Sequence, residues 1–478
     1  MAKNPDIEEV KKVSENIYRV EKTGKMSVPV IIYASEKLLK EMKKDNCIQQ
    51  MKNVACLPGI EKNAIVLPDA HLGYGFCIGG VAAFDIDKGV ISPGGVGYDI
   101  SCSVRLLKTN LKKQDIEKKQ KEIAKKLYNK LPTGVGKGGK VRIDKKEIKE
   151  IMKKGSLWAV ENGYGIKEDC ELSEEQGCMK DAEPEFVSER AIARGINQLG
   201  SLGSGNHFLE VQYVENILDE KTAEIFGLEM GQVCIMIHCG SRGLGHQIAS
   251  DYIKLMEEEY GFENIPDRQL ICAPIKSELG QKYYKGMCCA ANFAFCNKQV
   301  LTHFTREIMK EFFPNFKAEV VYDVCHNIAK FEEHEINGVK KMLCVHRKGA
   351  TRSLGKGRKE IPEKYRTVGQ PIIIPGSMGT SSYILVGTEN AEKLSFASTA
   401  HGAGRIMSRF EAMRTLKVEN IKNEMEKNHI EVSAGSWKSL VEESPNSYKD
   451  VDEVVRVSDE VRIGKIVAKL KPMVVVKG

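Results

Sequence analysis

Six of the ten histidines in this 478-residue chain stand at or just after an apolar run, in or beside a tight, mostly glycine-rich turn. They are His71, His207, His238, His326, His346 and His401. The segment Val233-Cys-Ile-Met-Ile-His238-Cys-Gly-Ser-Arg-Gly-Leu-Gly245 shows the pattern most clearly. An apolar run of that length reads as a buried strand, and the glycines after it as a turn. A histidine so placed is fixed by the strand yet close to a loop surface, where binding and catalysis concentrate. Six of them point to a fold that gathers several strand ends into one site.

The chain is long enough for a large core, in one big domain or a few smaller ones. No uninterrupted apolar stretch approaches the roughly 20 residues that a membrane span needs. The start, Met-Ala-Lys-Asn-Pro-Asp-Ile-Glu-Glu-Val, lacks the basic-then-apolar layout of a signal peptide, so a cytoplasmic location is expected. Fourteen cysteines, mostly inside apolar runs and without a Cys-x-x-Cys pair, argue against a disulfide scaffold or a zinc knuckle. A net charge of +7 permits a polyanionic partner without requiring one.

Mixed strands and turns are expected over residues 1–107, and a Lys-rich helical segment over about 108–154 whose lysines form a solvated face. An acidic loop is expected over about 166–185, alternating helical and strand patterns over 186–300, and short apolar runs over 317–400. A helix over 406–428 and a closing unit over 451–476, ending in a strand, complete the chain. With no internal repeat or linker, the reading is one α/β (α+β) domain over residues 1–478. Gly134-Val-Gly-Lys-Gly-Gly-Lys140 imitates a phosphate-binding loop. However, Val141 stands where a P-loop needs Ser or Thr, and no buried strand precedes it, so a flexible basic loop is expected.

Chemistry concentrates in six other segments. Ser92-Pro-Gly-Gly-Val-Gly-Tyr-Asp99-Ile-Ser-Cys102 places a carboxylate and a thiol three residues apart, close enough to share an ion, and Leu67-Pro-Asp69-Ala-His71 repeats the style upstream. Gly205-Asn206-His207-Phe208-Leu209-Glu210 follows a small-residue loop. His238 precedes Gly240-Ser-Arg242, whose guanidinium is suited to gripping a phosphate. Cys325-His326-Asn327 ends another apolar run. Pro375-Gly376-Ser377-Met378-Gly-Thr-Ser-Ser382 has the hydroxyl-rich look of a phosphate or sugar loop. His401-Gly402-Ala403-Gly404-Arg405 leaves a histidine flanked by residues too small to shield it. Together they offer one carboxylate, one thiol able to bridge two ions, several imidazoles and an extra histidine. Ligand softness alone ranks zinc or iron above manganese. Two metals and several arginines also suit a binuclear metal phosphohydrolase acting on RNA or nucleotides.

In this order the segments resemble the RtcB family of RNA-splicing ligases, from about residue 28 to Lys477-Gly478. The resemblance implies packed sheets surrounded by helices, with the active site at strand ends and Gly-rich loops. It implies a GTP-dependent RNA ligase with two Mn²⁺ ions that joins a 3′-phosphate or 2′,3′-cyclic phosphate end to a 5′-hydroxyl, in tRNA splicing or RNA repair. By the same resemblance, Asp99, Cys102 and His207 hold one ion, and Cys102, His238 and His326 the other. His401 takes GMP from GTP and passes it to the RNA as an RNA–ppG end. Asn206, His207, Phe208, Leu209, Glu210, His326, Asn327, Pro375, Gly376, Ser377, Met378, Ser382, His401, Gly402, Ala403, Gly404, Tyr448 and Lys477 form the guanylate pocket. The partners implied are broken RNA ends such as tRNA halves and an archease-type activator, with the chain a monomer and no membrane involved. Arg194, Arg242, Arg352 and Arg409 lie in or near the motifs as candidate RNA contacts, while His71 and His346 receive no role.

Overall fold

The structure is a computed structural model that describes residues 9–134, 136, 138–436 and 440–478. Two large sheets organise it. One runs Val10–Ser14, Ile17–Val20, Val30–Tyr33, Ala64–His71, Ile78–Asp85, Val339–Lys348, Asn327–Ile336. The other runs Ala318–Cys325, Ser103–Lys112, Gln232–Cys239, Phe208–Ile217, Lys465–Lys477, Ser382–Val386, Pro371–Ile374, with Glu431–Ala434 parallel to Lys465–Lys477. At one of its crossings the chain passes between the sheets through a single residue: Cys325 ends a strand of the second, Asn327 begins a strand of the first, and His326 lies between.

The apolar run before His238 is continuous because the second sheet is covered on both faces. Cys234 and Met236 join one core with Val104, Leu106 and Val324, whereas Val233, Ile235, Ile237 and Cys239 join the core on the other face. Alternate strand residues share a face. Cys102, His238 and His326 therefore continue the first of these rows beyond Val104, Met236 and Val324. Register aligns the strand ends: Ser103 pairs with Cys239 and Cys325, and Phe208 with His238 and Lys477.

The helix Glu278–Lys310 supports this end of the sheet and is buried along most of its length. Its Asn297 Oδ1 accepts the N–H groups of Gly200 (2.7 Å) and Ser201 (3.2 Å), which pins the loop leading to His207.

Three expected segments differ in detail. Residues 108–112 are strand, because Leu107, Thr109 and Leu111 alternate inward while Asn110 and Lys112 point out. The helices that follow are Lys113–Glu117, Gln120–Lys130 and Lys145–Lys154. The acidic segment at 166–185 holds the short helix Lys167–Glu171 and two 3-10 turns. Two of its acids are pinned in the interior: Asp169 accepts from Arg306 (2.6 and 2.7 Å), and Glu174 from Lys330 (2.6 Å). Residues 406–428 form two helices, Arg409–Thr415 and Val418–Lys427, broken where Leu416 and Lys417 turn extended. Val135 and Lys137 of the glycine loop at 134–140 lie outside the described residues. Around them, Gly134 N–H donates to Gly203 O (2.8 Å) and Gly139 N–H to Asn197 O (2.6 Å). No helix among the described residues is long and apolar enough to cross a membrane.

Candidate active site

Four strand ends and the residue between the two sheets converge on Cys102. Its Sγ lies 3.1 Å from His238 Nε2 and 3.4 Å from His207 Nε2. His238 Nε2 lies 3.3 Å from His326 Nε2, and His207 Nε2 lies 2.8 Å from Asp99 Oδ2. Ligand atoms thus gather into two groups, Cys102–His238–His326 and Asp99–Cys102–His207, sharing the thiol. The backbone is bent to achieve this. Ser101 is buried at φ 54°, a costly conformation for a residue with a Cβ, and its N–H donates to Asn327 O (2.7 Å).

The donor set fits divalent cations. The Nε2 atoms of His238 and His326 face each other 3.3 Å apart. Two nitrogens bound tetrahedrally at about 2.1 Å to one ion would stand about 3.4 Å apart. Burial pushes the Cys102 thiol up and the His238 and His326 imidazoles down. A bound cation reverses the cost for the thiol, which it deprotonates, and suits the neutral imidazoles as they stand.

A row of rings leads from the metal groups to His401. Centroids are 5.5 Å apart for His207–His238, 5.1 Å for His238–His326 and 4.9 Å for His326–His401. Asp69, on the strand Ala64–His71, stands behind His401. Its Oδ2 accepts from His401 Nδ1–H (2.6 Å), from His401 N–H (2.9 Å) and from Gly402 N–H (3.3 Å). Burial opposes ionisation of Asp69, but the His401 ring and the hydrogen bonds from His401 outweigh it and hold the carboxyl below its usual range. A carboxylate on Nδ1–H leaves the Nε2 lone pair available. The motif that holds Asp69 gives no sign of this place, since its partner is 332 residues away.

His401 opens onto a cleft of about 230 Å³. Of the residues expected to hold guanylate, Asn206, Phe208, Pro375, Gly376, Ser377, Met378, Gly402, Ala403, Gly404, Tyr448 and Lys477 line it with His401. His207 and His326 stand in the metal groups. Leu209 points into the core on the other face of the sheet. Glu210 and Ser382 lie behind the wall, where Gln212 Nε2 donates to Glu210 Oε2 (2.6 Å) and Ser382 Oγ (3.1 Å), and burial pushes the Glu210 carboxyl up to about 7. Asn327 braces the metal turn, donating to Asp99 O (3.1 Å).

The cleft adds Ile78 and Glu443, which no motif singled out, together with His71 and Arg405, which the motifs hold without a role, and Arg409, expected only as an RNA contact. Glu443 is the hub, accepting from Lys477 Nζ (3.0 Å) and Tyr448 Oη (2.5 Å), with Arg405 Nη1 at 3.4 Å. Burial opposes its ionisation, but these three partners push the carboxyl down to about 2.

The remaining candidates separate. His346 is a core residue: its Nε2 accepts from Ser92 N–H (3.2 Å) and its ring packs on Phe76 and Phe84. Cys239 faces away from the metal groups, toward Leu202 O (3.1 Å). Arg352 is corrected from a candidate RNA contact to an interior ion: it is 2% exposed and enclosed by Glu174, Glu175 and Glu332. Arg242 Nη1 lies 3.4 Å from His207 Nδ1, Arg194 holds Gln247 (2.9 Å), and Arg409 lies exposed at the cleft. A larger groove of about 990 Å³ beyond Tyr448 contains none of the metal groups or His401.

The model of the tRNA-splicing ligase RtcB family matches residues 50–478. The chain belongs to the RtcB family. Among its RtcB relatives, the tRNA-splicing ligase RtcB of Archaeoglobus fulgidus is 50% identical over 478 residues, covering 98% of this chain and 99% of the relative. That of Methanococcus maripaludis is 50% identical over 477 residues with the same coverage. The RNA-splicing ligase RtcB homolog 1 of Entamoeba dispar is 47% identical over 440 residues, covering 91% of this chain and 82% of the relative.

Proposed function

We propose that this RtcB-family chain is a GTP- and Mn²⁺-dependent RNA ligase that joins RNA 3′-phosphate or 2′,3′-cyclic phosphate ends to 5′-hydroxyl ends, with tRNA halves among its substrates. The observation that carries the reading is His401, held by Asp69 with Nε2 free, one ring away from paired ligand groups and open to a lined cleft. The relatives' names support RNA ends as the substrate class.

Asp99, Cys102 and His207 would hold one ion and Cys102, His238 and His326 the other. Bound divalent cations orient phosphates and offset the charge that develops on them. Asp69 keeps the His401 proton on Nδ1, and Nε2 attacks the α-phosphorus of GTP. An N–P bond forms, the bond to the bridging oxygen breaks, and pyrophosphate leaves. The imidazolium that results is stabilised by the Asp69 carboxylate. A 2′,3′-cyclic end is first opened by water to a 3′-phosphate. An oxygen of that phosphate then displaces Nε2 from phosphorus, giving an RNA–ppG end. The 5′-hydroxyl finally attacks the RNA 3′-phosphorus and GMP leaves. Lys477, Tyr448 and Glu443 form the floor on which guanosine rests.

Incubation with labelled GTP and Mn²⁺ yields an acid-labile protein–GMP adduct that His401→Ala loses. Full labelling of that variant, or RNA turnover by the wild type without GTP, overturns the reading. Repeating the assay across divalent metals tests manganese. The reading also carries the family expectation of a cytoplasmic monomer working with an archease-type activator, which sedimentation and addition of that partner test.

A further inference from the structure

The helix Arg409–Thr415 leaves the rim of the cleft with an unusual face. Arg409 lines the cleft, and a Cβ on Gly205, the residue before Asn206, would stand 2.8 Å from Arg409 Nη2. The next residue, Phe410, is 70% exposed, with Met413 at 49% and Ile406 at 46%. Large exposed apolar side chains are otherwise scattered over the described residues, and Phe410 is the only aromatic among them.

Helix geometry groups these side chains. Ala412 is the buried residue of the helix, which packs against Val441–Glu443. Arg409, Phe410, Met413 and Arg414 are three and four residues apart and share the outer side. The Arg414 guanidinium lies 6.0 Å from the Phe410 ring centre and has no carboxylate partner among the described residues. From Arg405 to Lys417 the chain carries four cations and one acid, Glu411.

An exposed aromatic beside an unneutralised guanidinium is the pairing that single-stranded nucleic acid uses: a base stacks on the ring and the cation meets a phosphate. A protein partner or a second copy would need a far wider apolar area than three side chains supply. We propose that Phe410, Met413 and Arg414 form a stacking platform for one base of the RNA strand whose end enters the cleft. Stacking accepts any base, which suits an enzyme that meets broken ends of many sequences. The proposal rests on the RNA ligase reading.

The test uses the full chain and a labelled single-stranded RNA bearing a 3′-phosphate. Fluorescence anisotropy measures Kd, ligation gives KM and kcat, and GMP-adduct formation is followed separately. Phe410→Ala should raise Kd and KM about tenfold, the order expected for loss of one stacked base. Phe410→Trp should restore both, and the adduct should form as in the wild type. Unchanged Kd in Phe410→Ala overturns the platform, as does equal weakening by Ala and Trp. Slower ligation at unaltered Kd also overturns it. A wild type that forms no adduct defeats the ligase reading itself, a result visible independently of the Kd values.

Discussion

Asp69→Asn is the sharpest perturbation of the proposed chemistry, because its consequences depend on which way one amide points. In the wild type, Asp69 Oδ2 accepts three hydrogen bonds from His401 and Gly402, while Oδ1 is buried without a partner. If the asparagine places its oxygen at the Oδ2 position, all three donors stay satisfied. The bond to Nδ1–H then loses its charge assistance, about 1–2 kcal/mol, or roughly 5- to 30-fold in rate. The NH₂ falls where Oδ1 was, and an unsatisfied buried donor costs about 1–3 kcal/mol of stability. If the amide flips, NH₂ faces two backbone N–H groups and the ring. Nδ1 must then accept, the proton moves to Nε2, and the nucleophilic lone pair is lost. An Asp→Asn exchange that inverts the tautomer of a catalytic histidine costs about 10⁴ in kcat.

The backbone donors favour the first orientation, so the expected loss in adduct formation is at least about fivefold, rising toward 10⁴ with the flipped fraction. The assay is the single-turnover rate of GMP transfer from labelled GTP, with circular dichroism as the folding control. Metal content should not change, since Asp69 belongs to neither ligand group. Wild-type adduct formation by folded Asp69→Asn would refute the argument, as would a wild-type adduct carried on Nδ1 by NMR.

Further outcomes follow from other contacts. Cys102→Ala should lose both ions by elemental analysis, because both groups use its Sγ; retention of two ions contradicts the sharing. Gly240→Ala should lose only the ion at Asp99, since a Cβ there would stand 2.3 Å from Asp99 Oδ1; equal loss of both ions contradicts this. Arg352→Ala should lower stability by about 1–3 kcal/mol in denaturant, because Glu174 and Glu332 each lose a buried charged partner while Lys330 and Arg347 still neutralise them. Weaker RNA binding at unchanged stability would return Arg352 to the RNA surface. For Glu443 the folded carboxyl sits at about 2 against 4.5 ordinarily, so its contribution is fully present above pH 4.5 and fades as pH falls toward 2. The stability difference between wild type and Glu443→Gln should therefore be constant above that range and shrink below it; a difference that does not vary with pH is the contrary result.

The strand ends were legible because a strand covered on both faces is apolar at every position, and a polar residue at its tip stands out. His238 and His326 show this directly. What escaped reading depends on partners far along the chain. Asp69 looks like one more turn carboxylate until His401 is folded against it. The segment 166–185 read as an acidic loop because the cations that bury its Asp169 and Glu174, namely Arg306, Lys330 and Arg352, come more than a hundred residues later. The helix Glu278–Lys310 shows no clean amphipathic stripe, since Asn292, Asn297, Lys298 and Gln299 are buried and bonded inside it. Adjacency to a motif misplaced Arg352, and strand-end placement did not separate His346, a core histidine, from the ligands.

The construction explains why ligands so dispersed can act together. Asp69, which orients the candidate nucleophile, belongs to the sheet that begins at Val10. Cys102, His207, His238 and Lys477 stand at strand ends of the other sheet. His326 is the single residue between adjoining strands of the two, and its N–H donates to Cys102 O (3.0 Å) while its carbonyl accepts from Ala350 N–H (3.0 Å). His401 itself follows the short strand Ser398–Ala400, paired with Ala350–Arg352, so its place beside the metal groups is set by packed strands together with Asp69. The glycines give approach and room, as where Gly203 leaves space for the Arg242 guanidinium. Positioning of this kind rests on packed core, which holds reacting groups more closely than loops alone. It follows that substitutions in the apolar rows beneath Cys102 and His238, such as Val104 or Met236, act on the separation of the ligand atoms before they act on the cleft.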